Sequence, residues 1–267
     1  MTLVVSARVP DGVVIGADSL ATLSVQGKGT ALTSAKCPEC GHEHDVQIEV
    51  ELPQGLGTLS TLPYSLKLLP LHGRLAIGHH GSAMIGSRTI FSLLLEYERE
   101  NKPASLRDTA QGLAEWLHGQ LAETMNVNDI PEGKSALGFQ AVGYENGEPK
   151  TFVGRVGRKP AIDEKLEFGV TVSGETALVT KLWELPRQHS QMSSAYNAWS
   201  VLDAADYIKF LISTTANFQR FVTMVPTVGG DIDIGLITPH GNFSWITKKP
   251  LVDLLLPEQK GGETNGD

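Results

Sequence analysis

Three short stretches of the sequence carry side chains able to do chemistry: Thr2 at the amino end, a Cys–His cluster at residues 37 to 44, and the His79-His80 doublet. Removal of Met1, which a small second residue permits, would leave Thr2 with a hydroxyl and a free α-amine on one residue. A threonine hydroxyl is a poor nucleophile until an adjacent base takes its proton. The α-amine, with an ordinary pKa of about 7.7–8.0, is such a base. The segment CPECGHEH sets Cys37, Cys40, His42 and His44 close together. C-P-x-C-G is a turn that points two thiolates at one zinc ion, and the two histidines could complete a tetrahedron. The chain has no further cysteine to build a second knuckle, so a redox dithiol and an inert loop stand beside the structural zinc reading. His79 and His80, neighbours on a strand, point to opposite faces. One could line a pocket while the other packs inward, or both could be satisfied near a turn. Asp231 and Asp233 read as strand acids facing solvent.

The elements that must hold these groups are signalled by period and punctuation. Residues 3–9, LVVSARV, and 12–18, GVVIGAD, read as a hairpin turned by Pro10-Asp11-Gly12. Residues 23–62 are rich in Gly, Thr, Ser and Lys and read as an inserted excursion with one short strand at 46–52. YSLKLLPL and RLAIGHH form a second strand pair about His72-Gly73. From Ala83 to Glu100 the spacing of Met84, Ile85, Ile90, Phe91, Leu94 and Leu95 predicts a helix, ended by Asn101-Lys102-Pro103. Ser105 with Asp108 opens another. ALGFQAVGYE and KTFVGRVG flank the hairpin signal Asn146-Gly147, and FGVTVSG adds a strand. A helix over 203–219 and a closing strand-turn-strand, DIDIGLITPHGNFSWI, complete the order. Such blocks predict an α+β domain with helices layered on antiparallel sheets. It would be a single domain over 1–257, with the excursion at 23–60 and a disordered tail at 258–267.

Composition narrows the partners. The formal charge of −8 and a pI near 5.5 argue against broad attraction to nucleic acid or anionic membrane. No run approaches the ~20 apolar residues of a membrane span, and no signal peptide opens the chain. Two cysteines in 267 residues fit a reducing cytoplasm.

The opening MTLVVSARVPDGVVIGADSLAT, the stretch LKLLPLHGRLAIGHHGSAMIG and the closing VGGDIDIGLITPHG resemble the proteasome β-subunit and HslV family of threonine peptidases. The resemblance implies the four-layer αββα sandwich of N-terminal-nucleophile hydrolases. It also implies a threonine-type endopeptidase or amidase, acting on proteins or peptides from a homo-oligomeric ring. Thr2 would be the nucleophile, Lys67 the ammonium that keeps its amine neutral, and Asp18 the group that holds Lys67. Gly78 would supply an oxyanion donor, and Ser173 would organise the amine and its water. Val225 and Val228 stand where the family carries polar network residues, so that part of the network is expected to be missing or reassigned. Catalysis would need no cofactor. An ATP-driven unfoldase would be a separate partner, because the chain has no nucleotide-binding motif. A transpeptidase or narrow amidase on the same fold, a catalytically idle ring-forming protein, and a zinc-binding interaction module are the alternatives.

Overall fold

Side-chain alternation explains why the first two strands run through the middle of the molecule. The computed structural model describes residues 2–24, 28–36, 40–51, 58–166, 168–188, 195–223, 225–239 and 242–249. In β1 (Leu3–Val9), Leu3, Val5, Ala7 and Val9 enter one buried cluster while Val4 enters another. In β2 (Gly12–Ala17), Val14 joins the first cluster, and Val13, Ile15 and Ala17 join the second. Apolar cover on both faces buries the two strands along their whole length.

The excursion is more ordered than its sequence suggests. β3 (Ala21–Ser24) pairs with β6 (Thr58–Leu62), and between them β4 (Lys28–Lys36) pairs with β5 (Glu43–Glu51). The single strand expected at 46–52 is thus one arm of a nine-rung hairpin, with Lys28 opposite Glu51 and Lys36 opposite Glu43. Backbone pairing alone can order such polar strands, so hydrophobic period gives little warning of them.

The chain then makes β7 (Leu68–Leu71) and β8 (Leu75–Gly81) about His72 and Gly73, which both have positive φ. The helix expected from Ala83 begins later. β9 (Met84–Ile85) and β10 (Arg88–Thr89) first form a small hairpin at Gly86, and α1 (Ile90–Glu100) starts where the Thr89 side chain caps the Ser92 N–H. α2 (Leu106–Thr124) starts as expected, with Ser105 accepting from the Asp108 N–H. β11 (Ser135–Glu145) and β12 (Glu148–Gly157) turn at Asn146-Gly147, both at positive φ, as a two-residue hairpin requires. β13 (Pro160–Lys165), β14 (Gly169–Gly174), α3 (Ala177–Gln188), α4 (Val201–Gln219), β15 (Asp233–Ile237) and β16 (Ser244–Thr247) follow. The tail expected at 258–267 lies outside the described residues.

Two five-stranded antiparallel sheets result, ordered β14-β1-β2-β15-β16 and β13-β12-β11-β8-β7. α4 packs on β1 and β2, and α2 packs on β11, β12 and β13. Val4, Val13, Ile15, Leu68, Ala76 and Val142 meet between the sheets. The sheets pack tightly at Gly78, where a Cβ would stand 2.6 Å from Val4 Cγ1 and 3.1 Å from Ile15 Cδ1. Gly78→Ala is therefore expected to overpack this layer and destabilise the fold by about 1–3 kcal/mol, read as a lower urea midpoint at unchanged slope. An unchanged midpoint would show that the layer has slack.

Candidate active site

Because β1 and β2 are antiparallel with Val4 opposite Ala17, Thr2 and Asp18 arrive at the same end of the sheet. Asp18 is fully buried. Its Oδ1 accepts the Leu3 N–H at 3.0 Å, and its Oδ2 accepts the Leu20 and Gly229 N–H groups at 3.1 Å each. Lys67 Nζ donates to the same Oδ2 at 3.0 Å and also to the Leu20 carbonyl. Lys67 precedes β7, and its own carbonyl accepts the His79 N–H at 2.9 Å. Burial pushes the Asp18 carboxyl above and the Lys67 ammonium below their ordinary values, while each charge opposes the shift of the other. Three amide donors on one carboxylate also favour its ionised form.

A cavity of about 290 Å³ opens at this end, lined by Thr2, Thr22, Lys67, His79, Gly81 and Ser82 among others. A second cavity of about 450 Å³ adjoins it through Ala21, Leu23, His79, Ala83 and Met84. Its remaining wall includes Leu62, Tyr64, Leu66 and Phe91, so it is largely apolar. His79 is held by its Nε2 against the Leu66 carbonyl at 3.1 Å, and burial lowers its pKa to about 4.

Thr2, Asp18 and Lys67 thus come together as the sequence suggests, but Gly78 does not join them. It lies between the sheets, with Val4 and Ile15 filling the space its side chain would take. The glycine at the cavity wall is Gly81, where a φ of +89° and the Ala136 carbonyl oxygen, 2.9 Å from where a Cβ would stand, exclude a side chain. Ser173 sits one strand away, opposite Val4, where its Oγ accepts from Gln140 Nε2 at 2.9 Å. Gln140 also reaches the Val4 and Thr171 carbonyls at 3.3 Å each.

Val228 is buried in the cluster under α4, and its neighbour Gly229 lends its N–H to Asp18. The segment expected to lack polar network groups therefore contributes through its backbone. Asp231 is exposed, but Asp233 is buried in an ion pair with Lys249 and does not face solvent as expected. Strand alternation turns it inward, and Lys249 arrives from beyond β16 to neutralise it.

Of the cysteine–histidine cluster, Cys37 lies outside the described residues. Cys40 and His42 are exposed between β4 and β5, with His42 Nδ1 2.9 Å from the Cys40 carbonyl. His44 stands opposite Ala35 in that hairpin. No described group of three or more His, Cys, Asp or Glu residues is placed to hold a metal ion. No described helix is long and apolar enough to cross a membrane.

No family model and no curated protein sequence matches the chain. Solved structures do match. An Anbu (Gly-1) mutant from Hyphomicrobium sp. strain MC1 superposes with a TM-score of 0.57 at 14% identity, over 91% of this chain and 85% of that one. Anbu (ancestral beta-subunit) from Yersinia bercovieri superposes at 0.52 and 12% identity, over 95% and 91%. The shared property is the mixed fold of helices on antiparallel sheets. This finding corrects the assignment to the proteasome β-subunit and HslV family. Hairpins and tight turns at set spacings are features of the fold, so they do not by themselves assign a family.

His79 is neutral in the folded protein and titrates near 6.5 when unfolded. Between about pH 6.5 and 4 the unfolded chain therefore binds a proton that the folded chain refuses, and stability falls as pH drops through that window. The share of His79 reaches on the order of 3 kcal/mol at the acid end. The fall in Tm from pH 7 to 5 is expected to be shallower in His79→Gln than in the parent; equal slopes would remove this role.

Proposed function

We propose that this chain is an amide hydrolase of the N-terminal-nucleophile type, with Thr2 as its nucleophile once Met1 is removed. One observation carries the reading: Thr2 and Lys67 line the same cavity, and the Asp18 that pairs with Lys67 is held by the N–H of the residue after Thr2. The reading takes α1 and α2 on one sheet and α3 and α4 on the other as a four-layer αββα sandwich, with the nucleophile at the rim of the inter-sheet space.

The freed α-amine takes the proton of the Thr2 hydroxyl, and Oγ attacks the amide carbonyl. The Lys67 charge favours the neutral, proton-accepting form of that amine. The oxyanion is met by backbone at Gly81, in place of Gly78; a fixed donor there strengthens its bond as charge develops. The new ammonium then protonates the leaving nitrogen, and an ester to Thr2 remains. Water, deprotonated by the same amine, releases the acid. The adjoining apolar cavity suits an apolar side chain beside the scissile bond, which favours a peptide as substrate.

Treatment with a β-lactone is expected to give one adduct per chain on Thr2 of a protein lacking Met1, read by intact mass and peptide mapping. Thr2→Ser should keep the adduct and Thr2→Ala should lose it. Retained Met1, or an adduct that survives Thr2→Ala, would end this reading.

A further inference from the structure

His80 is a largely buried titratable group to which the proposed chemistry gives no task. It stands opposite Gly138 of β11, and its ring lies over that glycine: a Cβ at Gly138 would come within 2.6 Å of both Cε1 and Nε2. On its other side is Gly174, the last residue of β14. A Cβ there would lie 3.2 Å from His80 Cβ and 1.8 Å from the Thr2 carbonyl oxygen. Two glycines, one from each sheet, thus make room for His80 close to the Thr2 carbonyl. The Glu175 N–H holds the Thr2 carbonyl at 2.8 Å and so fixes Thr2 beside it. His80 Nε2 is buried and has no hydrogen-bond partner among the described residues.

Among the described residues, the charged and titratable groups near this ring are His79 on the other face of β8, Glu175 after β14, and the Asp18–Lys67 pair beyond Thr2. β11 offers Gly138 and Gln140, neither of them charged. Burial lowers the pKa of His80 to about 4, and the positive amino terminus of the chain that still carries Met1 adds to the shift. The ring is therefore neutral at ordinary pH and has a nitrogen able to accept.

We propose that His80 is a positioning residue for the α-amine of Thr2, accepting a hydrogen bond from it through Nε2. The inference rests on the nucleophile proposed above. In the chemical step the proton passes from Thr2 Oγ to the α-amine, and none moves onto the imidazole. The acceptor stabilises the ammonium so formed, and it holds the amine lone pair towards the hydroxyl.

An acceptor on the ammonium raises the amine pKa, so its removal has a signature that a packing role lacks. The test is the rate of β-lactone adduct formation from about pH 5 to 9, followed by intact mass in the parent, His80→Leu, His80→Met and His80→Gln. In His80→Leu the plateau rate is expected to fall roughly ten-fold or more. The midpoint of its acid limb is expected to move down by about half a pH unit or more. His80→Gln, whose amide oxygen can reach the place of Nε2, should restore both. Should His80→Leu not fold, His80→Met removes the same acceptor with a side chain that adapts to the space. A midpoint that stays at the parental pH in the folded acceptor-less variant overturns the proposal, whatever the rate does. No adduct in the parent would remove the nucleophile and His80 together, whereas an adduct with an unmoved midpoint removes His80 alone.

Discussion

The ion pair between Asp18 and Lys67 is the constraint on which this end of the molecule is built. Taking two charges out of water is costly, and their attraction repays it only when the remaining hydrogen-bonding capacity is filled. Here the filling comes from four separate parts of the chain: the start of β1, the turn after β2, the approach to β7 and the segment before β15. Each part is held because the carboxylate needs its donor. Loss of either partner would leave a bare buried charge, at a cost of about 3–5 kcal/mol. A geometry fixed this way suits a site that must keep Thr2 in one place.

The sheets supply the other half of the arrangement. β1 brings Thr2 from the sheet under α4, while Lys67, His79 and Gly81 come from the sheet under α2. The cavity therefore exists only because the two sheets pack, and small residues set their approach. Gly78 lets Val4 and Ile15 close the middle of the layer, and Gly138 and Gly174 leave room for His80 at its rim. The excursion also takes part, since Leu23 of β3 and Leu62 of β6 wall the apolar cavity.

What could be read from the sequence was what is local. A turn at Pro10-Asp11 with strands of similar length on either side brings Thr2 and Asp18 together without any knowledge of the rest. Asn146-Gly147 and the Ser105 cap were legible for the same reason. Gly78 and Gly81 are three residues apart on one run, and choosing between them requires knowing how that strand lies against β1. The burial of Asp233 depends on Lys249, sixteen residues later, and the amides of Leu20 and Gly229 have no side-chain signal at all. β13 escaped notice because PAIDEK is a half-buried edge strand, and charged edges look like loops in sequence.

The second buried pair, Asp233 with Lys249, bears on how such a protein can change over time. A core leucine can drift to isoleucine or methionine in small, tolerated steps. A paired charge has no such path. Whichever of Asp233 and Lys249 is replaced first leaves the other stranded, at a cost comparable with a large part of a domain's total margin of about 5–15 kcal/mol. The intermediate sequence would be removed by selection before the compensating change arose. Positions of this kind are inherited together or not at all, and they become fixed points around which the rest of the sequence is free to diverge.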